Sequence, residues 1–139
     1  MVVCFCGHGK EIYTNDVHER LYRIVEELIN KGAGRFLLGG YGNFDMLAAR
    51  TVYELKTKYP HIRSELVLPY PDRKYDAGLY NGSVYPPIEN VPRRFAIVRR
   101  NEWIVQQADV VIAYVTHDWG GAARMLRYAE KKGKVIAKI

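Results

Sequence analysis

Two glycine-rich turns hold the residues of this sequence that are best suited to bind a charged small molecule. The first turn, Gly39-Gly40-Tyr41-Gly42, follows the short apolar run 36–38. The second turn, Trp119-Gly120-Gly121, follows the apolar run 110–115. Glycine lets the backbone approach a phosphate closely, and the free N–H groups at a helix N-terminus attract anions. The pair of turns predicts a phosphate-bearing ligand, held by the backbone of Gly39, Gly40, Gly120 and Gly121.

Aromatic and histidine side chains stand in or beside the same turns. Tyr41 and Trp119 can stack on a flat ring, although large aromatic residues also fill cores and interfaces. His8 and His117 stand at the ends of predicted strands that we expect to be neighbours, where they could donate to the ligand or remain in solvent. Tyr41, Gly42, Trp119 and His8 are therefore added as predicted ligand contacts, and no general acid is assigned.

Two carboxylates, Asp45 and Asp118, are placed near the ends of predicted strands. Either could serve catalysis if the protein is an enzyme. An aspartate three residues past a glycine turn is also typical of a helix cap or of an acceptor for a ribose hydroxyl. We therefore expect Asp45 to bind the ligand rather than to catalyse a reaction, and we assign no catalytic residue.

A metal site and a resident cofactor are not predicted. Cys4, Cys6 and His8 would project from one face of a strand, but a zinc site needs further ligands from elsewhere. The spacing of the two cysteines is also poorly suited to a disulfide, which favours a reducing compartment.

Length and composition favour one soluble domain covering residues 1–139. The chain has 48% hydrophobic and 26% charged residues, and no apolar run long enough to cross a bilayer. No signal peptide is recognisable, so we expect a cytoplasmic protein without a membrane partner. The net charge of +6 suits a polyanion or a small phosphorylated ligand equally well.

Strand and helix patterns alternate along the chain. Strands are predicted at 2–6, 36–38, 65–68, 110–115 and 135–139, and helices at 15–31, 44–59, 93–107 and 122–132. This order predicts a Rossmann-like three-layer α/β sandwich around a five-stranded, mainly parallel sheet. Residues 69–92 interrupt the pattern with five of the six prolines and are predicted to form a long loop, which either takes part in function or covers the sheet edge. The glycine turns then meet at the carboxyl edge of the sheet, where ligands bind in such folds.

At these turns the sequence resembles the SLOG superfamily, in particular its YpsA-like and "lonely guy" phosphoribohydrolase members. The resemblance rests on four segments: GGYGNFDMLAA at 39–49, VLPY at 67–70, RRNEWIVQQADVVIAYV at 99–115 and WGGAA at 119–123. It implies a domain that binds nucleotides or nucleotide-derived molecules and that commonly forms homo-oligomers. It also implies that Arg100, which matches a basic position of the family, contacts the ligand. Because neighbours on a helix point about 100° apart, only one of the pair can face the ligand, and we expect Arg99 to lie in solvent or at a subunit contact.

The sequence departs from the enzymes of that superfamily in its second turn. They resemble one another in a P-G-G-x-G-T-x-x-E turn whose glutamate serves catalysis, whereas here the glycines of DWGGAARMLRYA are followed by no acidic residue before Glu130. The leading hypothesis is therefore a sensor or sequestering protein that binds its ligand intact. The alternative is a phosphoribohydrolase-like nucleotide N-glycosidase that uses Asp45 or Asp118. A third hypothesis is a DNA-binding protein related to DNA-processing protein A, which the scattered basic residues do not favour.

Overall fold

The computed structural model describes residues 1–139, and its centre is a parallel β-sheet covered by helices on both faces. The strands are β1 Val2–Gly7, β2 Arg35–Leu38, β3 Arg63–Val67, β4 Gly82–Val84, β5 Val110–Tyr114 and β6 Val135–Lys138. The helices are α1 Asn15–Asn30, α2 Gly42–Lys58, α3 Ala96–Gln107 and α4 Gly120–Lys131. The predicted three-layer α/β architecture is confirmed. None of the four helices combines the length and apolarity needed to cross a membrane.

The sheet has six strands in the order β4-β3-β2-β1-β5-β6, so the prediction of five strands is wrong. The missed strand is β4, which lies inside the segment 69–92 and pairs in parallel with β3. Asn81 fixes its start, because its side-chain Oδ1 accepts a hydrogen bond from Ser64 N at 2.8 Å and its N–H donates to Ser64 O at 2.8 Å. Three residues at a sheet edge are too few to leave a periodic pattern in the sequence.

Each face of the sheet packs its own pair of helices. Successive strand residues point to opposite faces, so Val3 and Phe5 join the core under α1 and α2, whereas Cys4 and Cys6 join the core under α3 and α4. Cys6 Sγ donates to Ala122 O at 3.0 Å, and burial raises the pKa of this thiol to about 12. Both cysteines are free and buried. Their thiols are therefore protonated packing groups.

Three helices begin at different residues from those predicted. Helix α2 begins at Gly42 and α4 at Gly120, two residues earlier than expected in each case, so the glycines of the second turn are the first residues of α4. Helix α3 begins at Ala96, after a single 3₁₀ turn over Arg93–Phe95. Early starts at glycine place helix N-termini directly at the carboxyl edge of the sheet.

The strand order reverses between β1 and β5. From β1 the chain builds outward through β2, β3 and β4, and it then crosses to β5 and β6 on the other side. Residues Val3 to Gly7 of β1 pair with Val110 to Tyr114 of β5. The loops that follow these two strands diverge to opposite faces and leave a crevice between them.

Candidate functional site

A cavity of about 520 Å³ occupies this crevice at the carboxyl ends of β1, β2 and β5. Its wall combines the segment after β1, the first glycine turn, one side of α3 and the start of α4. The lining residues are Phe5, Cys6, Gly7, His8, Gly9, Lys10, Glu11, Gly39, Tyr41, Asp45, Ile97, Arg100, Asn101, Ile104, His117, Trp119, Gly120, Gly121, Ala122 and Met125. The volume falls in the range of small-molecule sites.

Most of the predicted ligand contacts meet in this one cavity. Those in its wall are His8, Gly39, Tyr41, Asp45, Arg100, Trp119, Gly120 and Gly121. Gly40 and Gly42 lie outside the wall, as does Asp118. Asp118 is exposed, and its backbone carbonyl oxygen accepts a hydrogen bond from Arg127 Nη1 at 2.9 Å.

The first glycine turn is built for packing. Gly40 has φ +72°, and a Cβ there would lie 2.5 Å from Leu66 Cδ1. Gly42 has φ +87°, and a Cβ there would lie 2.4 Å from the Cα of Gly9. Asn43 N also donates to Gly9 O at 2.9 Å. The start of α2 is therefore occupied by contacts with the loop after β1, and fewer of its N–H groups are free to bind a ligand.

The second glycine turn is open. Gly120 has φ +90°, and a Cβ added at either Gly120 or Gly121 would meet no atom within 4 Å. No side chain caps α4, and the N–H groups of Gly120, Gly121 and Ala122 have no hydrogen-bond acceptor in the protein. Unpaired N–H groups at a helix N-terminus carry partial positive charge. The start of α4 is therefore the anion-attracting end of the cavity.

Arg100 is the largest fully buried side chain, with an exposed fraction of 1%. Its Nη1 donates to Val67 O at 2.6 Å and to Gly39 O at 2.8 Å, and its Nε donates to Asn101 Oδ1 at 2.9 Å. Its Nη2 has no hydrogen-bond partner in the protein, and the residue lines the cavity. Burial lowers the pKa of the guanidinium to about 10, so it remains charged at neutral pH.

Its neighbour Arg99 has a different environment. The Arg99 side chain is 62% exposed and makes one long contact, 3.4 Å from Nη1 to Glu102 Oε1. Adjacent helix residues point about 100° apart, so only one of the two arginines can face the sheet. The buried one is Arg100.

Asp45 lies in the first turn of α2 and reaches into the cavity wall. Its Oδ2 accepts a hydrogen bond from Tyr41 N at 3.2 Å. Burial raises the pKa of Asp45 to about 6, against the opposing effects of the Arg100 charge, the Tyr41 N–H and the Arg73 charge. A carboxylate kept where burial disfavours its charged form is a feature of functional sites.

The raised pKa makes a testable prediction about stability. The unfolded chain releases the Asp45 proton near pH 3.9 and the folded chain near pH 6, so stability contributed by this group is present below pH 4 and is lost as the pH rises to about 6. Asp45→Asn should therefore raise the free energy of unfolding at pH 7 by about 1–3 kcal/mol and change it little at pH 4. Urea denaturation at the two pH values measures this difference. An equal change at both would contradict the assignment.

Arg73, which sequence reasoning missed, secures the first turn from outside. Its Nη2 donates to Gly40 O at 2.6 Å and its Nη1 to Gly39 O at 3.2 Å, while its Cζ lies 3.8 Å from the centre of the Tyr41 ring. Arg100 Cζ lies 5.4 Å from the same ring. Tyr41 is therefore positioned by two guanidinium groups. No local pattern in 69–92 marks Arg73, because its partners are more than thirty residues away.

Three rings form a continuous stack at the other side of the cavity. The centroids of His8 and His117 are 3.6 Å apart with planes at 19°, and those of His117 and Trp119 are 3.9 Å apart with planes at 20°. His8 Nε2 accepts a hydrogen bond from Thr116 N at 2.9 Å, which requires that this nitrogen carry no proton. Burial, then the neighbouring His117, lowers the pKa of His8. The predicted proximity of the two histidines is confirmed.

His8, Glu11 and His117 also place three potential metal-ligand atoms within 4.8 Å of one another. A metal bound by two imidazoles must lie in the plane of each ring, about 2 Å from each nitrogen. The near-parallel planes run side by side at 3.6 Å and do not converge on one point. His8 Nε2 is in addition already hydrogen-bonded to Thr116. The geometry suits stacking better than metal coordination.

The architecture is that of a Rossmann-like fold, which solved structures share. A molybdenum cofactor binding protein from Rippkaea orientalis superposes with a TM-score of 0.67 and 19% identity, covering 99% of this chain and 74% of that one. DNA processing protein A from Helicobacter pylori gives a TM-score of 0.67 and 19% identity, over 99% and 64% of the two chains. The predicted Rossmann-like fold is thus confirmed.

Among curated sequences, the chain is similar to the uncharacterized SPbeta prophage-derived protein YoqJ of Bacillus subtilis (strain 168). The two are 25% identical over an alignment of 136 positions, and the match covers 81% of this chain and 80% of YoqJ. No family model matches the sequence.

Proposed function

We propose that this protein is a cytoplasmic, SLOG-type protein that binds an intact nucleotide or nucleotide-derived molecule in the 520 Å³ cavity and acts as a sensor or sequestering protein. One observation carries the proposal. Gly120, Gly121 and Ala122, whose N–H groups are unpaired, and buried Arg100, whose Nη2 is unpaired, line the same cavity. Unpaired N–H groups and a buried guanidinium around one cavity favour an anionic ligand.

The rest of the wall suits the uncharged part of such a ligand. Ile97, Ile104 and Met125 give the cavity an apolar side, against which a base or a sugar carbon face can pack. Asp45 supplies a hydrogen-bond acceptor for a hydroxyl or N–H group. An anion at one end, apolar contact along one side and one acceptor together favour a nucleotide over inorganic phosphate.

The structural neighbours support a small-molecule ligand in a coarser way. One is described as a molybdenum cofactor binding protein, and another is described by its single-stranded DNA binding mode. Both kinds of ligand are compatible with a fold that binds at the carboxyl edge of its sheet. The cavity of this chain has the volume of a small-molecule site, which favours the small molecule.

A second function, hydrolysis of a nucleotide N-glycosidic bond, is favoured by a single residue. Asp45 lines the cavity, and its pKa of about 6 lets it gain or lose a proton near neutral pH. Against this function, Asp118 lies outside the cavity and the first acidic residue of α4 is Glu130, at the far end of the helix. Chromatography of nucleoside monophosphates incubated with the protein separates the two functions, because hydrolysis releases free base and binding does not.

Gly121→Val tests the location of the ligand. A Cβ added at this position meets no neighbouring atom within 4 Å, so the melting temperature of the free protein should change by less than about 2 °C. It projects into open space at the start of α4 and should abolish the stabilisation by nucleotide, about 5–10 °C for the native protein at a concentration a hundred times Kd. Thermal denaturation with a panel of linear and cyclic nucleoside monophosphates measures both quantities.

Gly34→Val is the matched control for this variant. Gly34 lies in the loop before β2, has an ordinary backbone conformation, and would also place its Cβ in open space. It does not line the cavity, so the native stabilisation by nucleotide should persist. Full stabilisation of the Gly121→Val protein would contradict binding at the start of α4.

A further inference from the structure

We infer that His8, His117 and Trp119 form a preorganised stacking platform, and that a planar heteroaromatic ring of the ligand stacks on the outer face of Trp119. This inference rests on the proposed function for the anionic end of the ligand. It adds the chemical class of the other end. The ring subsite is distinct from Arg100 and from the N–H groups of α4.

The two histidine layers of the platform are held by polar contacts, and Trp119 packs on them. His8 is only 6% exposed; its Nε2 accepts from Thr116 N, and its backbone carbonyl accepts from Tyr13 Oη at 2.6 Å. His117 Nδ1 lies 3.0 Å from Trp119 O, and its Nε2 lies 3.7 Å from Glu11 Oε1. Ring positions that are set before binding reduce the entropy lost when a ligand stacks.

Trp119 ends the stack with one face uncovered. One face of the indole packs on His117 at 3.9 Å, yet the residue is 69% exposed and lines the cavity. A flat ring that stacked on this exposed face would remove apolar surface of both partners from water, which is favourable. A flat ring on that face would extend the sequence His8-His117-Trp119 by one layer.

The position of Trp119 in the chain defines the ligand that fits. Trp119 is the residue immediately before α4, and the unpaired N–H groups of Gly120, Gly121 and Ala122 follow it directly. The ring site and the anion site are therefore neighbours, separated by no more than a short spacer. The chemical class that joins a heteroaromatic ring to a phosphate through such a spacer is a mononucleotide or a close derivative. A sugar phosphate without a ring would use only half of the site.

Isothermal titration with a nucleoside monophosphate and with ribose 5-phosphate tests the platform. Trp119→Ala should weaken the nucleotide about 5- to 150-fold, the usual contribution of one base stacked on an aromatic side chain. The same variant should leave ribose 5-phosphate within about twofold of its native affinity, because the anion site is untouched. Trp119→Phe, which keeps a flat ring, should recover most of the nucleotide affinity.

Fluorescence gives a readout that a purely structural role would not affect. The chain has two tryptophans, and Trp103 lies on α3 outside the cavity. In a Trp103→Phe protein all tryptophan emission comes from Trp119, and saturating nucleotide should quench it while saturating ribose 5-phosphate should not. Unchanged emission, or equal weakening of both ligands by Trp119→Ala, would overturn the platform alone. Failure of the native protein to bind either ligand would overturn the proposed function together with the platform.

Discussion

Arg100→Met is expected to lower the free energy of unfolding by about 2–4 kcal/mol, whereas Arg99→Met should change it by less than about 0.5 kcal/mol. The Arg100 guanidinium is buried and donates to the backbone oxygens of Val67 and Gly39, which join the ends of β3 and β2 to α3. Methionine fills much of the same volume but donates nothing, so Val67 O is left without this partner. Arg99 makes one exposed contact with Glu102.

Urea denaturation of the two variants measures this contrast. The same variants also test a binding role of Arg100, because the residue lines the cavity and its Nη2 has no hydrogen-bond partner in the protein. Arg100→Met should also weaken nucleotide binding at least about tenfold, the effect of losing one charged hydrogen bond. Equal stability of the two variants, or unaltered nucleotide affinity in a folded Arg100→Met protein, would contradict these roles.

Gly42→Ala is expected to destabilise the protein by at least about 3 kcal/mol, or to prevent folding altogether. Gly42 has φ +87°, a conformation that is strained for alanine, and the added Cβ would lie 2.4 Å from the Cα of Gly9. Backbone atoms cannot move aside as the end of a flexible side chain can. The added Cβ would therefore push the loop after β1 away from the start of α2.

Gly121→Ala is the comparison in the other glycine turn, at a residue with an ordinary backbone conformation. Its Cβ would meet no atom within 4 Å, and alanine favours a helix more than glycine does, so stability should stay within about 1 kcal/mol of native. Thermal denaturation and the yield of folded protein compare the two. Similar losses in both variants would contradict the distinction between a packed turn and an open one.

That distinction marks the limit of what the sequence could predict about the site. Both turns read as glycine followed by a helix, and nothing local separates them. The difference comes from a long-range contact, since Gly9 approaches Gly42 while nothing approaches Gly121. The glycines in the sequence predict only that other atoms can approach the backbone of each turn closely. Whether those atoms belong to a ligand or to another part of the chain depends on the tertiary structure.

The fold was more predictable because its signal is local and repeated. Strands of a parallel sheet are buried on both faces and appear as continuous apolar runs between helical patterns. The strand β4 escaped prediction because it has three residues at an edge, and Arg73 escaped because it acts on a turn far away in sequence. The adjacency of His8 and His117 could be predicted from the sequence, because the expected parallel topology places β1 beside β5, as the structure does.

The central claim is that the cavity holds an intact nucleotide-like molecule, and the most direct measurement is what the protein retains. The native protein and the Gly121→Val protein are each incubated with a panel of nucleoside monophosphates and cyclic nucleotides, washed by ultrafiltration, denatured, and analysed by chromatography with mass spectrometry. We predict about one intact nucleotide per native chain, none on Gly121→Val, and no free base in the wash. Release of free base, or no retained nucleotide on the native protein, would contradict the claim.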